Sequence, residues 1–282
     1  MNKYLILTLW MVTALWSCGN NPSANVDNSS NQQVNDSTLF QFSNINVNKL
    51  FAYCDEEGDT LYFDNSFSAF WPQVIKGKPC PALQQALLRA MTDSAGLNQL
   101  DKVVDFLLDP SNYTDYDSKR LVPVKEVKDD GKLSTSEVNV VMESKTDRLL
   151  IYRLSTSSYM AGGAHGIYAN NYVNYDLKTD KAIAFEDIIA DTTLLRTVIY
   201  KAIKAAYDYD KDDLFIPDNG LLPLPRDFHL DDHVLHVVYQ VYEIASYAQG
   251  MIDAPIYPYM LKPEEMKRLF TPYGLELTNN NF

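Results

Sequence analysis

The chain has 282 residues, of which 37 are acidic and 24 are basic, and its formal net charge is −13. This balance argues against nucleic acids and anionic membrane surfaces as partners, because both require basic patches. The negative charge would favour encounter with a basic protein partner. Alternatively, it only keeps a tethered protein soluble.

The N-terminus predicts a secretory signal peptide over residues 1–17, followed by a lipidated cysteine. Lys3 precedes an apolar run that ends at Trp16, well short of the roughly 20 residues needed to cross a bilayer. Residues 15–18, Leu-Trp-Ser-Cys, resemble the lipobox of bacterial lipoproteins, so we expect cleavage before Cys18 and lipid attachment to it. Ordinary signal cleavage, with Cys18 as a bystander, is the alternative.

Residues 18–38 predict a flexible tether. They are rich in Asn, Ser and Gln and contain almost no large apolar side chain, so they cannot bury enough surface to offset the entropy of ordering. Lipoproteins bound for the cell surface usually carry acidic residues directly after the cysteine, whereas the first acidic residue here is Asp27. We therefore expect a lipid anchor in the outer membrane, with the periplasmic face favoured over the cell surface. Cleavage removes Lys3 and no acidic residue, so 23 basic residues face 37 acidic ones and the net charge becomes −14.

Residues 39–130 predict an N-terminal α+β lobe. Aromatic and polar residues alternate on both sides of the turn cluster at residues 55–59, which indicates a β-hairpin. Pro81 lies at a first-turn position and precedes a helical apolar pattern that ends before Gly96. A second helix follows and is stopped by Pro110, and the polar segment after it is either a lobe boundary or a long surface loop.

Two cysteines in this lobe, Cys54 and Cys80, are a candidate disulfide. An oxidising envelope compartment favours a bridge, which would stabilise the chain by roughly 3 kcal/mol through loop closure. An envelope that is not oxidising would leave both as thiols, so the sequence leaves the two outcomes open.

Residues 131–276 predict a C-terminal α+β domain, followed by a tail over residues 277–282. Three alternating stretches separated by turn residues predict an antiparallel meander. Asp191 or Thr192 is expected to cap an amphipathic helix, whose apolar face comprises Leu195, Val198, Ile199, Ala202 and Ile203. A hairpin turning at Asp231 and Asp232, a strand and a last helix complete the domain. The fold class is therefore α+β, with antiparallel sheets packed against a few helices in two lobes.

Three groups of residues carry a family resemblance that spans roughly Leu150 to Phe270. They are Gly162, Gly163, His165 and Gly166, then Tyr175, Asp176 and Leu177, then Tyr242, Glu243, Tyr247, Ala248 and Gly250. In this order they resemble domain of unknown function 3298, which occurs in the extracytoplasmic part of RsiV-type anti-sigma proteins and in the non-catalytic region of PdaC-type peptidoglycan deacetylases. The segment SFSAFWPQV, before the helix at Pro81, resembles the companion domain of the PdaC type.

The resemblance implies a module that acts by recognition, since the RsiV type binds lysozyme and the deacetylase type carries its chemistry in a separate domain. We therefore expect a cell-envelope lipoprotein without a cofactor that binds a peptidoglycan-like glycan or a basic envelope-active protein such as lysozyme. A hydrolase acting on cell-wall glycan or peptide, and a purely structural envelope protein, are the alternatives. The sequence leaves the oligomeric state open.

Residues with catalytic or metal-binding spacing are few. Nucleophile elbows, Walker loops and GxGxxG motifs are absent, so no catalytic residue is assigned. His229 and His233 have the spacing of a helical metal site, but their segment predicts a hairpin, so no metal site is expected. Adjacent acids such as Glu186 and Asp187 do not form the opposed pair that glycoside hydrolysis requires.

The candidate ligand-binding residues are tyrosines and their neighbours, because tyrosine is amphipathic and loses few torsions on binding. They are Tyr159, His165, Tyr168, Tyr242, Glu243 and Tyr247. Gly162, Gly163, Gly166 and Gly250 are expected to shape turns. His165 itself has three interpretations: part of a shaped turn, a ligand-facing residue beside Tyr159 and Tyr168, or a catalytic residue.

Overall fold

The computed structural model describes residues 39–54, 59–92, 97–128, 132–231 and 233–278. The strands are β1 (Phe40–Cys54), β2 (Thr60–Ile75), β3 (Lys78–Pro79), β4 (Leu121–Pro123), β5 (Lys132–Lys145), β6 (Leu149–Tyr159), β7 (Ile167–Asp176), β8 (Lys181–Ala182), β9 (Asp227–Asp231), β10 (Val234–Tyr239) and β11 (Ile252–Ile256). The helices are α1 (Pro81–Thr92), α2 (Leu100–Leu107), α3 (Phe185–Ile188), α4 (Thr192–Tyr207), α5 (Pro263–Leu269) and α6 (Pro272–Thr278). The predicted signal peptide, Cys18 and the tether lie outside the described residues.

The strands form two sheets, which confirms the α+β class. In the described part of the chain the larger sheet has the order β4-β1-β2-β5-β6-β7-β8, with β3 paired to β2, and the smaller has the order β11-β10-β9. Strands β2 and β5 are parallel, whereas the other pairs are antiparallel. A parallel pair needs a crossover connection, and α1 and α2 lie within it. None of the described helices combines the length and apolarity needed to span a membrane.

Strand β6 separates two hydrophobic cores. Leu150 and Tyr152 face a core that contains Leu83 and Leu87 of α1, and Ile151 faces a second core built from α4 and the smaller sheet. These three residues of β6 are 0–1% exposed. Because alternate side chains of a strand point to opposite faces, a one-residue slip would exchange the contents of both cores, so the register of β6 is fixed.

Helix α4 forms as its sequence predicts. The Asp191 side chain accepts a hydrogen bond from the Leu194 backbone N–H at 2.8 Å and so caps the helix. All five predicted apolar positions are buried in the second core: Leu195, Val198, Ile199, Ala202 and Ile203. The helix ends at Tyr207, and the next residue, Asp208, has a left-handed φ of 58°. Its apolar face packs mainly on β11, which places the smaller sheet over the helix.

The predicted division near residue 130 stays a prediction. Strands from both sides of it pair in the larger sheet, through β2 and β5. Helix α6 was not predicted, and it extends into the segment interpreted as a tail, since Leu277 and Thr278 are buried. The helix is tied to β7 because Tyr273 Oη donates a hydrogen bond to the buried Asp176 carboxylate at 2.8 Å.

The disulfide considered between Cys54 and Cys80 is not formed. Cys54 is an exposed thiol and Cys80 a buried one, and burial raises the pKa of Cys80 to about 11. Cys54 pairs with Thr60, whereas Pro79, next to Cys80, pairs with Val74 at the far end of β2. Fourteen residues of strand separate the two ends, about 45 Å at roughly 3.3 Å per residue. A disulfide needs Cα atoms within about 7 Å, so the hairpin that the sequence predicted is what keeps these cysteines apart.

The predicted turn of the β9–β10 hairpin is wrong by one residue. Asp231 pairs with Val234, and His233 has a left-handed φ of 69°, so the turn lies after Asp231. This register brings His229 directly opposite His236.

Asn174 joins the two sheets. Its side chain is 1% exposed, its Nδ2 donates to the Phe228 carbonyl at 2.8 Å, and its Oδ1 accepts from the Leu230 N–H at 2.9 Å. The amide thus satisfies one donor and one acceptor on the edge of β9, as a neighbouring strand would. The smaller sheet is thereby fixed to β7.

Replacing Asn174 by Ala is expected to lower the free energy of unfolding by about 2–4 kcal/mol, because two buried backbone groups of β9 would lose their partner. Urea denaturation of the variant and the parent measures the loss. Asn171→Ala, at a half-buried position on the same strand, is the matched control. Equal stabilities of the Asn174 variant and the parent would show that this amide does not fix the smaller sheet.

Candidate functional site

The glycine-rich segment forms the loop between β6 and β7. Ser158 pairs with Ile167 at its base, and the Gly163 N–H donates to the Met160 carbonyl at 2.9 Å. Gly162 has a left-handed φ of 83°. A Cβ at Gly166 would lie 2.8 Å from the Ser158 carbonyl oxygen, closer than packing allows. Glycine is therefore required at 162 by backbone conformation and at 166 by close approach.

The loop places His165 in a group of rings that we call the aromatic cluster: His165, Tyr168, Tyr242 and Tyr247. The His165 and Tyr247 rings stack with centroids 3.9 Å apart and planes 22° apart. Tyr168 meets Tyr247 edge-on at 6.1 Å, and the Tyr242 ring lies 5.6 Å from that of Tyr247. His165 is exposed and Tyr242 is 49% exposed, so part of the cluster faces solvent.

The second half of the cluster is positioned by the turn that follows β10. Gln240 makes reciprocal hydrogen bonds with the backbone of Asn170: Nε2 donates to its carbonyl at 2.7 Å, and Oε1 accepts from its N–H at 3.0 Å. The Glu243 carboxylate accepts from the Gln240 N–H at 2.9 Å and closes the turn. Tyr242, between them, has a left-handed φ of 66°, a strained conformation for a tyrosine. In this conformation the centroid of the Tyr242 ring lies 6.4 Å from that of the His165 ring.

The two ring nitrogens of His165 have different partners. Nδ1 lies 2.9 Å from the Gly166 carbonyl oxygen, and Nε2 lies 3.2 Å from Tyr242 Oη. A carbonyl oxygen only accepts, so Nδ1 donates, and Nε2 is free to accept from the tyrosine hydroxyl in a neutral imidazole. Neither partner is a carboxylate, so the ring lacks the orienting acid of a catalytic triad.

A groove of about 480 Å³ adjoins the aromatic cluster and shares Tyr168 with it. Its lining mixes exposed apolar or aromatic groups with hydroxyl groups: Phe106, Tyr113, Tyr159, Met160 and Ile167 with Ser134, Thr135, Ser136, Thr156, Ser157 and Ser158. The apolar members are each more than a third exposed. A contiguous group of this kind, rimmed by polar side chains, is typical of a binding surface.

The predicted residues divide between these features. His165, Tyr168, Tyr242 and Tyr247 meet in the cluster, whereas Tyr159 lies in the groove. Glu243 has a local role in the turn. Gly250 has a φ of 75°, and the Tyr168 hydroxyl lies 3.3 Å from where its Cβ would be.

A second group of polar side chains was missed by the sequence analysis. His236 Nδ1 lies 2.8 Å from one carboxylate oxygen of Asp253, and His229 Nε2 lies 3.3 Å from the other. Burial raises the pKa of Asp253, but the hydrogen bonds from the two histidines outweigh it and hold the pKa well below its usual range. The HxxxH pair considered from the sequence does not form, since His233 contacts the Leu277 carbonyl instead.

Comparisons with known proteins find similarity to a family of unknown function. The model of a family described as a protein of unknown function, DUF3298, matches residues 186–257 of this chain. A crystal structure of a DUF3298 member from Bacteroides fragilis aligns with a TM-score of 0.59 at 19% identity, over 87% of this chain and 99% of that one. A Pseudomonas aeruginosa member aligns with a TM-score of 0.48 at 18% identity, over 82% and 95%. A search of curated proteins gives no match.

Replacing Gly166 by Ala is expected to lower the free energy of unfolding by about 1–3 kcal/mol, because the added methyl group would overlap the Ser158 carbonyl oxygen. Chemical denaturation measures this, with the exposed Ala164→Ser in the same loop as control. If both variants were as stable as the parent, the close approach at Gly166 would not constrain the loop.

Proposed function

We propose that this chain is a cell-envelope recognition protein that binds a glycan of the peptidoglycan type and does not cleave it. The observation that carries the proposal is the aromatic cluster next to the hydroxyl-lined groove. Together they offer what a sugar chain needs: ring faces for the apolar faces of its pyranoses, and hydroxyl groups for its hydroxyl and amide groups.

The size and composition of the groove support this ligand class. Its volume lies in the range of roughly 300–1,000 Å³ that is usual for small-ligand sites. Tyr168 belongs to both features, so a chain of sugar rings lying in the groove would continue over the stacked His165 and Tyr247. Tyrosine and histidine contribute this contact area at a low cost in conformational entropy.

The partners of His165 support recognition rather than hydrolysis. A general base needs a proton acceptor within reach of substrate and an orienting acid, yet the Tyr242 hydroxyl and the Gly166 carbonyl already engage both nitrogens. Glu243, the acid closest in sequence to the cluster tyrosines, bonds the Gln240 N–H. The hydrolase alternative would require turnover of muropeptides by the soluble chain.

A basic envelope-active protein such as lysozyme is a second candidate, and the observation that favours it is charge. The chain carries 13 more acidic than basic residues, which would accelerate encounter with a cationic partner. The exposed loop at His165 and the exposed Tyr242 ring would then be contact residues rather than a sugar platform.

The glycan proposal predicts that Tyr247→Ala weakens binding at least about tenfold, since it removes the ring that stacks on His165. Tyr247→Phe keeps the ring and should bind like the parent. Calorimetry of the soluble chain from Leu39 with a defined muropeptide, and a pulldown with purified sacculi, provide the measurements.

Tyr259→Ala is the matched control, because Tyr259 is 77% exposed and belongs to neither the cluster nor the groove. A parent chain that binds neither muropeptide nor sacculi would overturn the glycan proposal. Binding of lysozyme, in a separate titration without glycan, would then favour the protein partner.

We also propose that Cys18 carries the lipid anchor and that the domain faces the periplasm. The lipobox-like residues 15–18 and the following polar tether support this. Cells grown with labelled palmitate should incorporate it into the parent chain and not into Cys18→Ser, which should instead be released as a soluble protein. Equal labelling of both chains would contradict the proposal.

A further inference from the structure

The smaller sheet brings three potential metal ligands to one face. His229 on β9 lies directly opposite His236 on β10, and Asp253 on β11 pairs with Val238, two residues along β10 from His236. Alternation along each strand turns the neighbours of these residues, such as Leu230 and Leu235, into the core. The three polar side chains therefore share the face away from that core.

The donor atoms are close enough to share one ion. One ligand atom from each residue lies within 4.8 Å of the others. Two imidazole nitrogens and one carboxylate oxygen form a donor set that suits divalent transition ions, and Zn²⁺ in particular. The side chains are 11% exposed for His229, 21% for His236 and 42% for Asp253, so the set is open to solvent on the carboxylate side.

Groups behind these ligands fix their positions. The Tyr172 ring stacks on His229 with centroids 4.5 Å apart. The Tyr207 hydroxyl accepts a hydrogen bond from the Asp253 N–H and donates one to the Asp253 carbonyl, both at 2.9 Å. These two bonds fix the backbone of Asp253 relative to α4. Supporting contacts of this kind orient the ligands of known metal sites.

From this arrangement we propose that His229, His236 and Asp253 bind one Zn²⁺ ion, with water completing its coordination. The two imidazoles now stack, with centroids 4.3 Å apart and planes 15° apart. An ion lies in the plane of each imidazole that binds it, so parallel rings cannot share one without tilting. The His229 ring stacks on both Tyr172 and His236, whereas the His236 side chain is the more exposed of the two histidines. Binding therefore tilts His236 and opens the stack.

Titration of the tag-free, metal-free soluble chain with Zn²⁺, followed by competition with a chromophoric chelator, tests the site. We expect one equivalent of saturable binding. Asp253→Asn keeps the shape of the side chain and should weaken binding by about 100-fold or more, as should His236→Ala. His233→Ala is the matched control, since His233 belongs to the same hairpin but contacts the Leu277 carbonyl.

A second readout separates this site from adventitious binding. Zn²⁺ should shift the imidazole NMR signals of His229 and His236 and leave those of His165 unchanged. Circular dichroism of each variant confirms folding, and Asp253→Asn decides the question if His236→Ala does not fold. Absence of saturable binding, or equal binding by the parent and Asp253→Asn, would overturn the proposal.

Discussion

Two side-chain amides determine how the smaller sheet meets the larger one, and the candidate sites depend on that contact. Asn174 bonds the backbone of β9, and Gln240, at the end of β10, bonds the backbone of Asn170. Each side-chain amide bonds backbone groups that a neighbouring β-strand would otherwise bond. The two sheets are therefore joined by directional hydrogen bonds as well as by apolar packing. Tyr242 and Tyr247 lie two and seven residues after Gln240, so the same contact helps to set their distance from His165.

Strand β7 explains why both sites lie along this junction. Tyr168, Asn170, Tyr172 and Asn174 alternate with residues such as Val173 and Tyr175, which face the helical core. The even-numbered positions thus include a ring of the aromatic cluster, the residue whose backbone bonds Gln240, the ring that stacks on His229, and the amide that fixes β9. The register of β7 is inherited from β6, which is buried on both faces, so a shift that displaced one site would displace the other.

Sequence patterns were sufficient where the structure is local. The apolar positions of α4, its Asp191 cap and the β6–β7 hairpin follow from periodicity and turn residues. The parallel β2–β5 pair was not predictable, since its partners are far apart and no local pattern specifies them. A one-residue error at the β9–β10 turn hid the His229–His236 pair, because register decides which residues face each other. The contact between His165 and Tyr247 joins residues 82 positions apart.

Contacts of the β6–β7 loop and of the turn after β10 make the aromatic cluster rigid. Gly162 adopts a left-handed conformation and Gly166 lies close to the Ser158 carbonyl oxygen. The Ala161 N–H donates to the buried Ser134 hydroxyl at 2.9 Å, and the Gln240 side chain holds the opposite turn. These contacts hold the rings in place, so binding of the proposed glycan would not have to supply the free energy of ordering them. The proposed glycan site would then gain affinity from its shape and would distinguish ligands by the hydroxyl pattern that fits the adjacent groove. The left-handed backbone conformation of Tyr242 is consistent with a rigid cluster, because the turn between Gln240 and Glu243 maintains this strained conformation.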